Sequence, residues 1–392
     1  MNLSDASGQI VTVCVHRTIR DIAPTEWNDC FPADPESWAY YRAIEESGLA
    51  DFSWVYLATR EGDRVIAVAP AFITNYKLDT TIQGGLRTVL QPVLRIFGRL
   101  LTLRLLCLGS PHADRCHLGF APGLPAARRG EIAGLLLAKL DSFAAAEGIG
   151  LIAAKDLAKP DLASGVHIAF AKAGFSRQPS LPNALLALPP GGEHGYLRSL
   201  SHAARRDVRR KLKAVARVRI ETYRGLEAIA LVPRVMQLYE AQRARSSVDF
   251  DQFETLAPEY FRAVLTGLAD TAVVFVYSYE GRIIAFNLCY HSQEVFVDKF
   301  IGFELPLART LNLYVVSWMN NVRYCLGRGI PVLQSGQTAY AMKLHLGSHL
   351  RANWIYFRHR HPIVNFALRL AGPLLAADKH DPELSRARRH QA

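Results

Sequence analysis

Two strand–turn–strand patterns, each followed by the same order of elements, constrain the fold of this sequence more than any other feature. Residues 54–80 and 273–304 carry β-branched and aromatic residues on both sides of a tight glycine turn, which is the short-range signal of a β-hairpin. After each hairpin the pattern predicts a long helix, a short apolar strand, a helix that ends at Gly174 or Gly347, and a last strand. A repeat of this length predicts two copies of one α/β domain.

The repeat also predicts the boundaries of the domains. We expect an N-terminal domain over 1–192, a basic linking helix over 193–216, a C-terminal domain over 217–378 and a mobile basic tail over 379–392. Residues 81–124 interrupt the first copy as a Leu/Arg-rich insertion, in which the central strand of that copy is not recognisable. A basic amphipathic segment of this kind either packs on its own domain, lines an acyl-binding cleft or lies on a membrane. Peripheral membrane contact through 87–108 is therefore one of the open possibilities.

Composition and charge narrow the class of protein. The 392 residues suffice for two domains with full cores, and a charged fraction of 21% excludes general disorder. No apolar run is long enough to span a membrane, and the N-terminus lacks the pattern of a secretion signal. The six cysteines lie far apart, which indicates neither a disulfide framework nor a metal site. We therefore expect a cytoplasmic protein without a permanently bound cofactor or metal.

The net charge of +11 indicates an anionic ligand, and much of it is concentrated in one predicted helix within 197–220. Apolar residues from Leu200 to Val215 recur at spacings of three and four, and Ser201 is a candidate N-cap. Only Asp207 opposes the six cations of this helix, which are Arg205, Arg206, Arg209, Arg210, Lys211 and Lys213. Like charges at this density repel, so the helix either binds an anionic partner or pairs its charges elsewhere in the molecule.

The order of elements resembles that of the GNAT acyltransferase superfamily, and the duplication resembles its Fem-like branch of tandem GNAT domains. Two motifs carry the resemblance: the basic stretch at 205–218, RRDVRRKLKAVARV, and the block from Gly336 to Lys343, GQTAYAMK, which matches the pattern G-x-x-x-Y-x-x-K. The resemblance covers about 195–360 well and the first half more loosely. It implies two tandem α/β domains, each with a mixed central sheet that is flanked by helices and splays open to hold an acyl donor.

The resemblance also implies the class of reaction, which is transfer of an acyl or aminoacyl group to an amine or hydroxyl of a small-molecule or cell-wall-precursor-like acceptor. Residues 302–312 lack the glycines with which acetyl-CoA-binding GNAT domains bind a pyrophosphate, whereas Fem-like members take their group from a charged tRNA. Both acyl-CoA and aminoacyl-tRNA are thus candidate co-substrates, with the six cations of the basic helix as phosphate- or tRNA-binding residues. The alternative is a non-catalytic module on tandem GNAT folds that binds RNA or an anionic glycan.

Three residues are candidates for catalysis. Alternation along the strand at 295–302 predicts that Asp298 shares a face with Phe296 and Phe300, an apolar setting that raises the pKa of a carboxyl group and suits it to accept the amine proton. Tyr340 and Lys343 are three residues apart on one helix face, from which they can stabilise an oxyanion. The candidate substrate-binding residues are polar side chains of the neighbouring elements: Asn287, Lys299, Asn312, Tyr314 and Gln337.

Overall fold

The computed structural model describes residues 3–4, 10–77, 102–158, 165–245, 253, 255–375 and 384. The strands of these residues are β1 (Leu3–Ser4), β2 (Ile10–His16), β3 (Ser53–Glu61), β4 (Arg64–Lys77), β5 (Thr102–Leu108), β6 (Gly119–Phe120), β7 (Leu151–Ala158), β8 (Ser176–Ala187), β9 (Arg219–Arg224), β10 (Ala272–Tyr279), β11 (Arg282–His291), β12 (Val295–Phe303), β13 (Val332–Ser335) and β14 (His349–His359).

The helices described are α1 (Pro24–Cys30), α2 (Trp38–Glu46), α3 (Ala126–Ala146), α4 (Val166–Lys172), α5 (Gly192–Ser199), α6 (His202–Lys211), α7 (Val232–Arg243), α8 (Pro258–Gly267), α9 (Leu307–Thr310), α10 (Leu313–Arg328), α11 (Tyr340–His345) and α12 (Pro362–Leu375). None of these helices is long and apolar enough to cross a membrane.

All the strands belong to one mixed sheet, in the order β1-β2-β3-β4-β5-β7-β14-β8-β13-β12-β11-β10-β9, with β6 beside β4. The predicted hairpins are β3–β4 and β10–β11, whose turns are closed by the pairs Glu61↔Arg64 and Tyr279↔Arg282. Each half contains one parallel pair, β5–β7 in the first and β12–β13 in the second. The predicted fold class, an α/β fold with a mixed sheet flanked by helices in each half, is confirmed, and the two halves share one continuous sheet.

The two halves exchange strands at the centre of the sheet. β14, from the second half, lies between β7 and β8 of the first half, and β8 in turn pairs with β13. Tyr356 of β14 is 2% exposed and stacks on Phe170 of α4 with 4.5 Å between the ring centroids, so it completes the core of the first half. The boundaries expected at 192 and 217 remain predictions, because the sheet is continuous across both halves.

Three large apolar cores flank the sheet in the described part of the chain. Helices α3 and α4 cover one face of the first half, and α5, α6 and α10 cover the corresponding face of the second. On the opposite side, α1, α2, α7 and α8 form a core that both halves share. A Cβ atom at Gly267 of α8 would lie 2.8 Å from the Cβ of Ala43 on α2, so the close approach of these two helices requires a glycine here.

The structure corrects the interpretation of 81–124 as a single insertion. Residues 102–108 form β5, the central strand of the first half, and Leu105–Leu108 are buried. These four residues of the segment 87–108 therefore face the interior, and membrane contact through the rest of the segment stays a prediction. Residues 81–101 lie outside the described residues, as does the predicted tail over 379–392 apart from Leu384.

Candidate active site between the halves

The candidate site lies where the parallel strands β12 and β13 separate. The two strands pair from Val295↔Val332 to Asp298↔Ser335, after which β13 ends and β12 continues to Phe303. Residues just beyond this point, from Lys299 to Ile301 and from Gly336 to Thr338, line a cavity of about 500 Å³ between the two halves. The cavity thus lies directly beside the point at which the two strands diverge.

A β-bulge at Lys299 changes which side chains share a face of β12. Leu288 pairs with Phe300 but Cys289 pairs with Asp298, so Lys299 is the extra residue. As a result Phe296 packs in the core beside α10, whereas Phe300 packs on the opposite face against Tyr239 and Phe261. The predicted common face of Phe296, Asp298 and Phe300 is therefore wrong, since strict alternation does not hold across a bulge.

Asp298 lies in a polar network instead of between two phenylalanines. Asn321 Nδ2 of α10 donates to Asp298 Oδ2 at 3.2 Å, and Asn287 Nδ2 donates to Asn321 Oδ1 at 3.3 Å. Burial raises the pKa of Asp298 to about 6, against the opposing effect of the Lys343 cation and the amide donors, while the charge of Asp114 raises it further. The carboxyl group is therefore poised to exchange a proton near neutral pH.

Lys343 and Tyr340 of α11 are both buried but point to different neighbours. Lys343 Nζ donates to the carbonyl of Gly336, at the end of β13, and its charge acts on Asp298. Tyr340 is fully buried and its hydroxyl donates to the carbonyl of Pro182 at 2.9 Å. The structure thus brings Lys343 and Asp298 together, and it gives Tyr340 a contact with β8 that holds α11 on the sheet.

The predicted substrate-binding residues fall into three groups. Gln337 lines the cavity, and its Nε2 donates to the carbonyl of Leu181 and to Asn183 Oδ1. Asn287 supports Asp298 indirectly, because it donates to Asn321, which in turn donates to Asp298. Asn312 precedes the first turn of α10 in a left-handed conformation (φ 52°), and the ring of Tyr314 packs against Phe303. Neither Asn312 nor Tyr314 lines the cavity.

Lys299 lines the cavity, but its charge is already paired with the first half. Its Nζ lies 2.8 Å from Glu36 Oε1 and donates to the carbonyl of His112. Burial alone would lower the pKa of Lys299, yet the Glu36 carboxylate beside it keeps the pKa above its usual value. Lys299 thus stays charged and joins the two halves at the site.

Several polar residues of the site were not predicted from the sequence, among them His112 and Asp114 in the loop after β5. Both line the cavity. His112 is 6% exposed, and neither ring nitrogen has a hydrogen-bond partner among the described residues; burial and the cations of Lys299 and Lys155 lower its pKa to about 3. The available signal was the polar stretch SPHADRCH directly after the apolar strand LRLLCL, which the interpretation as an insertion concealed.

Polar contacts hold this loop against β7 on one side and against the segment before α2 on the other. Lys155 Nζ donates to the carbonyl of Ala113 at 2.7 Å and lies 3.1 Å from Asp156 Oδ2. On the other side Asp34, Glu36 and His117 come close enough together to hold a metal ion. However, Arg115 lies 3.2 Å from Asp34, and Lys299 neutralises Glu36. The cluster is therefore an ion-pair network that fixes the loop.

The basic helix α6 is partly neutralised. Ser201 caps it as predicted, and Ala204 and Val208 bury its apolar side. Arg205 donates to the carbonyls of Arg198 and Leu200, and Asp207 pairs with Arg210 and Lys211 at 2.6 and 2.8 Å. The cations that remain exposed and without a partner among the described residues are Arg206, Arg209 and Lys213.

Comparisons with known proteins support this description. Residues 202–344 match the family model of the acetyltransferase (GNAT) domain. FemX aligns with a TM-score of 0.57 at 12% identity, over 88% of this chain and 96% of FemX. A tandem GNAT protein from the clavulanic acid biosynthesis pathway aligns with a TM-score of 0.52 at 12% identity, over 90% and 99% of the two chains.

A third similar structure is the C-terminal domain of a putative lysylphosphatidylglycerol synthetase from Agrobacterium fabrum, with a TM-score of 0.51 at 14% identity over 88% of this chain and 93% of that one. A comparison with curated protein sequences gave no match. The fold is that of a GNAT-type acyltransferase, and the resemblance to the Fem-like tandem GNAT branch is confirmed.

Proposed function

We propose that this protein transfers an acyl or aminoacyl group to an amine or hydroxyl acceptor at the gap between β12 and β13, next to the cavity between its halves. The observation that carries the proposal is the pair formed by Asp298, whose pKa is raised to about 6, and the buried Lys343, at the point where β12 and β13 separate. A base and a cation at one gap in the sheet are what acyl transfer requires.

The proposed step is nucleophilic substitution at a carbonyl. The acceptor nitrogen or oxygen attacks the carbonyl carbon of the donor, so that a C–N or C–O bond forms and the C–S or C–O bond of the donor breaks. Asp298 accepts the proton of the acceptor and returns it to the departing thiolate or alkoxide. Lys343 stabilises the negative charge that develops on the carbonyl oxygen.

The donor is an acyl-CoA or an aminoacyl-tRNA, and the acceptor is a small molecule or a cell-wall-precursor-like compound. Arg206 and Arg209 of α6 and Lys213 in the turn after it support an anionic donor, because they are exposed cations close together in the chain. All six cysteines are free thiols, five of them buried, which supports a reducing cytoplasm as the location. A basic helix would serve equally the alternative function, an RNA- or glycan-binding module without turnover.

Lys343→Ala and Asp298→Asn test the proposal, after mass spectrometry of co-purifying ligands has narrowed the panel of acyl-CoA and aminoacyl-tRNA donors. Lys343→Ala removes the cation at the oxyanion, and we expect the rate to fall roughly 100-fold. Asp298→Asn removes the base, so its rate loss should shrink as rising pH deprotonates the acceptor without help.

The matched control is Lys172→Ala, which removes an exposed lysine from α4 and should leave the rate unchanged. Both site variants should keep the wild-type fold by circular dichroism. If they turn over the identified substrates at the wild-type rate, Asp298 and Lys343 are not the catalytic pair. If RNA binds with high affinity and no donor in the panel is turned over, the binding module is the correct function.

A further inference from the structure

The cavity between the halves has an apolar part that the proposed reaction at Asp298 and Lys343 does not use. Its floor is the sheet itself, where Leu105 and Cys107 of β5 and Leu151 and Ala153 of β7 face inward. Their neighbours Leu106, Leu108, Ile152 and Ala154 point to the opposite face and pack under α3 and α4. The pleat of two parallel strands thus presents an aliphatic surface to the cavity.

Aromatic side chains form the walls above this floor. Phe253 packs against Phe52, Phe72 and Tyr76, with ring centroids 5.6 to 6.2 Å apart, and Phe357 of β14 closes the other side. Helix α12 covers the cavity with Leu368 and Gly372. A Cβ atom at Gly372 would lie 3.2 Å from both Gln178 and Phe357, so the absence of a side chain lets the helix approach the cavity closely.

Polar side chains also line the cavity, on the loop after β5, on β7 and β8, and at the end of β13. Among them are His112, Asp114, Lys155, Asp156, Ser180 and Gln337. Most have partners within the protein, but both ring nitrogens of the buried His112 have none among the described residues. A buried polar atom without a partner is costly, so a ligand that places a carbonyl or hydroxyl beside His112 would satisfy it.

We infer that the apolar part of the cavity binds an aliphatic acyl chain, so that one substrate is a fatty-acyl compound whose polar group lies beside His112. The inference rests on the proposed function and adds the class of acyl group. An apolar surface of this kind excludes charged chains and gains affinity with each methylene that it removes from water. A pocket with one apolar part and a few convergent polar groups is typical of a site for such an amphiphilic molecule.

The test is calorimetric binding of straight-chain alcohols from hexanol to dodecanol to the full chain. These probes are neutral, so the charges of the site contribute little to differences within the series. We expect one site per chain and a dissociation constant that falls about four-fold per added methylene, equivalent to about 0.8 kcal/mol. The slope should flatten when the chain fills the cavity.

Two variants of α12 make the test specific. Leu368→Trp fills the cavity and should weaken decanol binding roughly ten-fold or more. Leu370→Trp makes the same change on the other side of the helix, where Leu370 is 63% exposed, and should bind like the wild type. Ala153→Phe, on β7, provides a second cavity-filling variant in case Leu368→Trp lowers the melting temperature.

A third variant, His112→Phe, separates the two parts of the cavity. It removes the hydrogen bond to the probe, so each alcohol should bind roughly three- to ten-fold more weakly with the slope per methylene unchanged. Equal affinity in Leu368→Trp and Leu370→Trp, or no dependence on chain length, would overturn the inference. Because binding needs no turnover, a series that behaves as expected while no donor reacts overturns the proposed function and leaves the acyl site intact.

Discussion

Each half contains one pair of parallel strands, but a different structure follows the point at which the two strands of each pair separate. In the second half β13 ends at Ser335, and the residues that follow it, Gly336 to Thr338, line the cavity together with Lys299 to Ile301 of β12. In the first half β5 pairs with β7 only as far as Leu108↔Ala154. The loop that follows β5 comes back to β7, where the backbone N–H of Cys116 donates to the carbonyl of Asp156 at 2.9 Å. The loop thus takes the place that β5 would have occupied beside β7.

This difference shows how the two copies of a duplicated fold can contribute different parts of one site. The loop that closes the first gap carries His112 and Asp114 into the cavity, toward the second gap. The charge of Asp114 then contributes to the raised pKa of Asp298 in the other half. The first half therefore supplies the floor of the cavity and part of its wall, whereas the second half supplies the rest of the wall and the proposed base and cation.

The strand exchange predicts that neither half is stable alone, and a change at Tyr356 should have the largest effect on stability. Tyr356→Ala leaves a cavity against Phe170 and should cost about 3–5 kcal/mol of unfolding free energy. Because β14 bonds to β7 and β8, denaturant should still unfold both halves in one transition, monitored by circular dichroism and tryptophan fluorescence together.

Tyr223→Ala on the edge strand β9, where the side chain is only partly buried, is the control and should cost far less. Two separate transitions in Tyr356→Ala, with the second half unaffected, would show that the halves are independent domains joined only by α6. The boundaries expected from the repeat would then describe the molecule better than the continuous sheet does.

Local sequence patterns predicted most elements, because periodicity, turns and caps are properties of short segments. The strands expected over 273–304 are found at 272–303, and Ser201 caps α6. The exchange of β14 was not predictable in this way, since its pairing with β7 joins residues far apart in sequence. The register of β12 was missed for a related reason: a bulge depends on the partner strand, so alternation alone misplaces Phe300.

Part of the candidate site was also predictable from local patterns, because some of its residues lie on elements with a clear periodicity. Asp298 and Lys343 belong to a strand and a helix with clear patterns, whereas His112 and Asp114 lie in a loop that follows an obscured strand. Tyr340 and Lys343 share a helix face as expected, but the neighbouring strand decides that Tyr340 donates to Pro182. Only the packed structure determines which polar side chain faces the cavity.

The coupling between the halves can be measured through the pH dependence of turnover. Asp298 acts as a base in its deprotonated form, so the rate should rise with pH through about 6. The negative charge of Asp114 raises that pKa, and Asp114→Asn should therefore move the midpoint of the acid limb to lower pH, by up to about one pH unit. Asp63→Asn, in the exposed turn after β3, should leave the midpoint unchanged. An unchanged midpoint in Asp114→Asn would mean that the two halves act independently in the reaction.

We expect the smallest effect, on binding of an anionic donor, from substitutions in the basic helix α6. The structure shows which of its cations can be changed without breaking contacts inside the protein. Reversing Arg205 would break its bonds to the carbonyls at the end of α5, and Arg210 is already paired with Asp207. Arg206→Glu with Arg209→Glu changes only exposed cations, so folding should be unaffected. If the donor is aminoacyl-tRNA, binding should weaken several-fold and its dependence on log salt concentration should lose about one unit of slope per phosphate contact removed.

A double variant with the same change in net charge, Arg20→Glu with Arg262→Glu, provides the control, because both arginines are exposed and lie on other elements. If the control weakens tRNA binding as much as the α6 variant does, the attraction comes from the overall charge of +11 and α6 is not a specific surface. If salt and the α6 variant leave turnover of an acyl-CoA unchanged, the aminoacyl-tRNA donor is excluded. The fatty-acyl donor indicated by the cavity would then be the remaining candidate, with its chain bound between the two halves and its transfer carried out by Asp298 and Lys343 of the second half.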